Sequence, residues 1–438
     1  MEWNESSLQE KYPALYGAAK RFARRIRDKK LRDMFVRCSM NTLATTVRET
    51  DTDVYLITGD IDAMWLRDSS AQVLQYLELA PASAETARIV KGLVARQCYY
   101  ICCDPYANAF NFAPNGAGHR EDECESSPIV FERKFELDSL CYPVFLSARY
   151  YRYTGDATVF TDGYFEAMRK VLDVFETERD HSKSEYYHYR PTEHPSLSVP
   201  NRGRGGACGY TGMVWAGYRP SDDPCAYGYN IPGNAFVVTA MRSLAEIALA
   251  CGKEDIAKRA AAIADCVREG IEKYGIVNHE KYGRIYAYET DGLGNYNLMD
   301  DANVPNLLGL PYIGWCDPTD EIYRNTRRFC LSKDNPYYYE GKRLSGLGSP
   351  HTPEKYVWHI ALAMQGITST DEAEINGLLA TLADTTAGTG YMHEGVCADD
   401  DTVYTRSWFA WANSLFAYFM IVKADSIKKI DTKNSGEE

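Results

Sequence analysis

Residues 232–250, PGNAFVVTAMRSLAEIALA, and residues 254–273, EDIAKRAAAIADCVREGIEK, decide the fold. The first stretch is apolar on most faces. The second keeps its charges on one side. A helix that is apolar all round is buried, whereas one with a charged stripe meets solvent. The two therefore read as an inner helix followed by its outer partner.

The same contrast separates 354–368 from 371–385. Further pairs are expected at 69–80 with 84–104, 135–153 with 158–179, and 299–309 with 319–332. A last helix, 405–422, has no long partner after it, and the N-terminal segments 6–28 and 30–47 are placed to close a ring with it. Alternating buried and half-exposed helices suit an all-α (α/α)6 toroid, two concentric rings of helices. Short hairpin strands are expected in the loops at 182–190 and 282–289. No strict repeat or low-complexity linker breaks the 438 residues, so one domain over 1–438 is expected, with a polar, frayed tail from about Lys428.

The formal net charge of -13 argues against nucleic acid or an anionic membrane as partner, because both repel an acidic chain. It suits a neutral substrate such as a sugar. The 33 Tyr and 7 Trp could stack on sugar rings or simply fill a large core. No stretch has the roughly 20 uninterrupted apolar residues of a membrane span. The opening MEWNESSLQE lacks a basic segment followed by an apolar run, so no secretory signal is expected and a cytoplasmic location is. The odd count of 13 Cys, with Cys141, Cys251 and Cys266 inside helical patterns, fits buried reduced thiols. Cys98, Cys102 and Cys103 lack the paired spacing of a zinc site.

Polar and aromatic clusters concentrate between the helices, where loops at one end of a ring would surround a cavity. GDIDAMWLRDSSAQ, residues 59–72, holds Asp62, Trp65, Arg67 and Asp68 just before a helix. Asp68 or Ser69 could merely cap that helix, but capping leaves Trp65 and Arg67 unexplained. In residues 212–234, Asp222 and Asp223 adjoin each other between Pro220 and Pro224. Adjacent carboxyls raise one pKa at the other's expense, which suits a general acid; a solvated turn is the bland alternative. In residues 386–411, Glu394 follows His393 in a glycine-rich loop entering a buried helix. Asp399, Asp400 and Asp401 read as a helix-entry acidic run, with calcium a weak option. No GxSxG elbow, phosphate loop or HExxH motif is present. Paired carboxylates remain, and glycoside hydrolysis requires two.

Six blocks resemble glycoside hydrolase family 125: GDIDAMWLRDSSAQ, ERKFELDSLCYP (132–143), RPSDD (219–223), GLGSPHT (346–352), MHEG (392–395) and YTRSWFAWANSLF (404–416). They run in order over nearly the whole chain. The resemblance implies an (α/α)6 fold and an exo-α-1,6-mannosidase. It implies an inverting mechanism with no metal or other cofactor, and terminal mannose released from oligosaccharides or N-glycan-derived mannans. Carried over, the base is Glu394 and the acid lies in RPSDD, with Asp222 chosen and Asp223 taken as a substrate ligand. Asp62, Trp65, Arg67, Asp68 and His351 would hold the sugar. MHEG departs from the family's Glu-Ser by placing Gly395 after the glutamate. An inverting pair should stand about 6.5–9.5 Å apart to admit a water. Rival readings are a glucoamylase-like α-glucosidase, a sugar epimerase using His351 and His393, and a non-catalytic glycan-binding protein.

Overall fold

The computed structural model describes residues 4–191 and 198–431. The decisive pair forms as expected, with helices at Ile231–Ala250 and Glu254–Tyr274 packed on each other. Thirteen of the 20 residues in the first are buried, against eight of 21 in the second, so the first belongs to the inner ring. The Asn230 side chain accepts the Gly233 N–H and starts the inner helix.

The inner ring continues through Leu66–Ala71 with Leu74–Leu79, Leu137–Thr154, His359–Thr368 and Ala410–Val422. The outer helices are Lys29–Thr45, Ala84–Cys103, Asp162–Glu178, Glu321–Cys330 and Glu372–Asp384. Side-chain caps start each of these five: Asp28, Ser83, Thr161, Asp320 and Asp371 accept backbone N–H groups of the first turn. The ring closes where Ala410–Val422 packs on Lys29–Thr45. Thr42 and Ser414 hydroxyls meet there at 2.9 Å, and Gln75 Nε2 donates to Ser414 Oγ at 3.1 Å. This is the expected (α/α)6 arrangement.

Three local expectations are corrected. Residues 299–309 are turns rather than a helix, because side chains capture the backbone there. Buried Asp300 accepts the N–H groups of Leu307 and Leu308 at 2.8 and 3.0 Å, and Asn306 Oδ1 accepts that of Gly309. Residues 182–190 form no strand beyond an isolated bridge of Tyr189 to Glu123. The hairpin strand expected at 282–289 does form, as Gly283–Tyr286 paired with Ile276–His279. The tail from Lys428 is not frayed at its start: Ile430 is buried and bridges to Ile26. Its continuation, 432–438, lies outside the described residues. Among the described residues, no helix is long and apolar enough to cross a membrane, and all thirteen cysteines are free thiols.

Candidate active site

The polar clusters lie at the starts of inner helices. Arg67 and Asp68 open Leu66–Ala71, Asp138 opens Leu137–Thr154, and Trp411 opens Ala410–Val422. Helix N-termini carry partial positive charge, so these starts favour carboxylates. Asp68 therefore sits inside its helix and does not cap it; Trp65 is the N-cap residue and makes no side-chain capping bond.

Small sheets fix the loops. Met64–Trp65 pairs with Ala109–Phe110, which pairs with Val130–Glu132, so Trp65, Asn108 and Glu132 converge. Tyr356–Trp358 pairs with Gly395–Cys397, which sets Glu394 beside Trp358. The 219–223 turn is pinned at both ends. Arg219 binds Glu289 through Nε and Nη2 at 2.6 and 3.2 Å, and Lys134 Nζ donates to the Asp222 carbonyl at 2.7 Å. Asp222 is left-handed, at φ 65°. Aspartate tolerates that region better than most residues, and backbone strain of this kind gathers at functional sites.

A cavity opens between these loops. Trp65, Arg67, Asp68, Asp222, His351 and Glu394 all line it. Asp223 stands behind, 3.3 Å from His351 Nδ1 and bonded by Ser221 Oγ at 3.1 Å. Asp62 is not brought in. Its side chain is 67% exposed and pairs with Arg48 at 2.8 Å, because the turn before Trp65 points it to solvent.

The acidic side of the cavity is organised by Arg67, which is buried. Its Nη1 reaches Glu136 at 2.7 Å and Asp138 at 3.2 Å, Nη2 reaches Asp222 at 3.2 Å, and Nε lies 3.3 Å from Asp68. Asn108 Nδ2 donates to Glu132, Glu136 and Asp222 at 3.0, 3.2 and 3.2 Å. Burial, reinforced by Asp222, pushes Glu136 well above the usual carboxylate range. Burial also presses upward on Asp222. There Arg67, a hydrogen bond with Glu136, Lys134 and His351 outweigh it and hold the group low. Partial desolvation disfavours the charged ring of His351, yet Asp223 with Asp222 and Glu394 raises it to about 9.

Glu394 faces this cluster from another loop and is 7% exposed. Thr405 Oγ1 donates to its Oε2 at 3.0 Å, and Arg406 Nη1 lies 3.6 Å from Oε1. The Gly395 N–H in turn donates to Thr405 Oγ1 at 2.9 Å. A Cβ at 395 would come 3.2 Å from that hydroxyl, so Gly395 leaves room for Thr405 to serve the glutamate. Gly59 brings the opposite loop close: a Cβ there would meet the Trp408 carbonyl oxygen at 2.1 Å. That approach lets Arg406 reach Asp60 and Thr58.

The profile of the family described as metal-independent alpha-mannosidase (GH125) matches residues 28–421. The chain belongs to that family. As a GH125 member it is a glycoside hydrolase of the α-mannosidase type. A GH125 α-mannosidase of Streptococcus pneumoniae, solved in a non-productive complex with α-1,6-mannobiose, is 40% identical with a TM-score of 0.90. The match covers 97% of this chain and 99% of that one. The meiotically up-regulated gene 157 protein of Schizosaccharomyces pombe is 39% identical over 420 residues, covering 90% of this chain and 82% of that protein. A bacterial glucoamylase complexed with acarbose shares the fold alone, at 13% identity and a TM-score of 0.61, over 90% of this chain and 56% of that one.

Several residues that line or back this GH125 cavity are not assigned from the sequence. Glu136 and Asp138 lie in the ERKFELDSLCYP block and Arg406 in YTRSWFAW, so the blocks marked the right segments without assigning these side chains. Asn108 carried no signal, since it stands in an unremarkable loop. His393 packs on the Tyr404 ring and does not line the cavity. The paired-histidine arrangement of an epimerase is therefore not formed with His351. Asp399 and Asp401 bind the Lys342 N–H and Arg343, and no group of three or more His, Cys, Asp or Glu among the described residues could hold a metal ion.

Proposed function

We propose that this GH125 enzyme is an exo-acting α-1,6-mannosidase that inverts the anomeric centre. It would act on oligosaccharides or N-glycan-derived mannans, with a single catalytic domain, Asp222 as acid and Glu394 as base. The observation that carries this reading is the meeting of Asp222 and Glu394 in one cavity from separate loops, in contrasting settings. Asp222 sits in a proton-holding carboxyl cluster, as an acid requires. Glu394 is held by one hydroxyl and faces a guanidinium, as suits a base that activates water.

The α-1,6 linkage is supported by the mannobiose complex of the pneumococcal relative. Terminal mannose would take hydrogen bonds from Arg67, His351 and the indole N–H groups of Trp65 and Trp411, which have no partner among the described residues. Asp68 would accept from hydroxyls, and Asp223 would act through His351. Thirteen free thiols fit a reducing compartment such as the cytoplasm.

The test is proton NMR of α-1,6-mannobiose hydrolysis, with the α-1,2 and α-1,3 isomers as controls. β-Mannose should appear first, from the α-1,6 isomer in preference. Initial α-mannose would overturn inversion, and equal cleavage of all isomers would overturn the linkage. Asp222→Asn and Glu394→Gln should each lower turnover by about 10²–10⁴-fold while sugar binding persists. A glycan-binding protein would have no turnover to lose.

A further inference from the structure

Outside the acid and base, the most unusual feature is the charge balance of the cluster that backs the cavity wall. Five carboxyl groups, from Asp68, Glu132, Glu136, Asp138 and Asp222, gather around two cations, Arg67 and Lys134. The neighbouring charges largely cancel among themselves: His351 pairs with Asp223, and Arg190, which also reaches Glu132 at 3.0 Å, brings with it the carboxyl of Asp122, bound through two nitrogens at 2.7 Å, so it leaves the excess unchanged. Full ionisation would leave three uncompensated negative charges among largely buried groups. Burial opposes such an excess strongly, so the cluster retains protons.

Geometry says where one proton is shared. Glu136 and Asp222 bind the two terminal nitrogens of one guanidinium, at 2.7 and 3.2 Å, and the same Asn108 amide, each at 3.2 Å. Two carboxyls held on the same two donors are neighbours, and these two also hydrogen-bond each other. Ser139 Oγ donates to Glu136 Oε2 at 3.2 Å, and the Cys225 thiol lies behind. No other carboxyl of the five shares both donors with Asp222.

We propose that Glu136 is a positioning residue that stores the proton which Asp222 delivers to the glycosidic oxygen. This rests on Asp222 being the acid. At rest the proton sits on Glu136 and is hydrogen-bonded to ionised Asp222, in keeping with the opposite pKa directions of the two groups. As the C1–O bond breaks, its electron pair stays on the leaving oxygen. That oxygen takes a proton from Asp222, and Asp222 takes the Glu136 proton. Glu394 receives the proton of the attacking water. After product leaves, that proton returns through solvent to the Glu136–Asp222 pair, and the enzyme is reset.

The experiment compares two substrates across pH. α-1,6-Mannobiose needs a proton on its leaving oxygen; 2,4-dinitrophenyl α-mannoside does not. Glu136→Gln keeps the hydrogen-bonding shape but has no proton to give. Its kcat/KM on mannobiose should fall about 100-fold or more, its basic limb should move to lower pH, and its rate on the aryl mannoside should stay near wild type. Asp222→Asn should show the same split between substrates. If Asp222→Asn splits and Glu136→Gln loses equally on both substrates or on neither, Glu136 is not the store and this inference alone falls. If Asp222→Asn shows no split, the assignment of the acid fails and the inference falls with it. Should Glu136→Gln not fold, Glu136→Asp keeps a titratable carboxyl on a shorter arm. It should give a partial split and a displaced basic limb, and an unchanged pH profile would overturn the proposal.

Discussion

Arg67 Nη2 lies 3.2 Å from Asp222 Oδ1 while its Nη1 lies 2.7 Å from Glu136, so one buried guanidinium bridges two carboxyls that come from different loops. Removing it would strand several buried acids. Arg67→Met should destabilise the fold by about 3–5 kcal/mol and abolish turnover. Arg67→Lys should fail to restore activity, because an ammonium is a point charge without the planar fork. Thermal unfolding and mannobiose turnover check this; a lysine variant with wild-type rates would contradict the bridging role.

The Thr405 hydroxyl donates to Glu394 at 3.0 Å while accepting the Gly395 N–H. A hydrogen bond to a charged group contributes about 1.5–3 kcal/mol, or about 10–100-fold in rate when it orients a reacting group. Thr405→Val should lose that much kcat/KM, and Thr405→Ser should keep most of it. Equal rates for valine and serine would show that the hydroxyl does not orient the base.

His351 is raised to about 9 by Asp223, Asp222 and Glu394 against partial desolvation. A histidine raised above its unfolded value of about 6.5 adds stability that is complete below that pH. The contribution is lost as pH rises through about 9. Melting temperatures followed across that window should decline less in His351→Gln than in wild type. Parallel declines would remove His351 as the source.

Asp300 is buried and accepts two backbone N–H groups in the segment that replaces an inner helix. Asp300→Ala leaves both donors unpaired and should cost about 3 kcal/mol in urea unfolding, with little effect on sugar affinity. A loss within about 0.5 kcal/mol would mean that the turns of 299–309 hold without it.

How legible the molecule was depends on the range of the interactions. The contrast of 232–250 with 254–273 shows through because amphipathicity is a property of consecutive residues, and the inner and outer rings follow from it. Residues 299–309 also hold apolar residues but fold as turns. Asp300 and Asn306 compete for the backbone there, and periodicity does not register such competition. Trp65, Arg67 and Asp68 were visible because three unusual side chains crowd one helix start. Asp62 was visible for the same reason, yet it pairs with Arg48 in solvent, since adjacency along a chain says nothing about direction across a turn.

The sequence by itself determined a ring of helix pairs, the loops that carry carboxylates, and, through its six blocks, the GH125 family. Periodicity and local motifs depend on neighbours along the chain, so they survive without coordinates. Only the tertiary structure decided which acids share a cavity. Asp222, Glu136 and Asn108 come from segments separated by up to 114 residues, and Glu394 from farther still. The charges of Asp222 and Glu136 interact because folding brings both onto Arg67 and largely buries them there. A group's proton affinity is set by that surrounding space, not by its place in the chain.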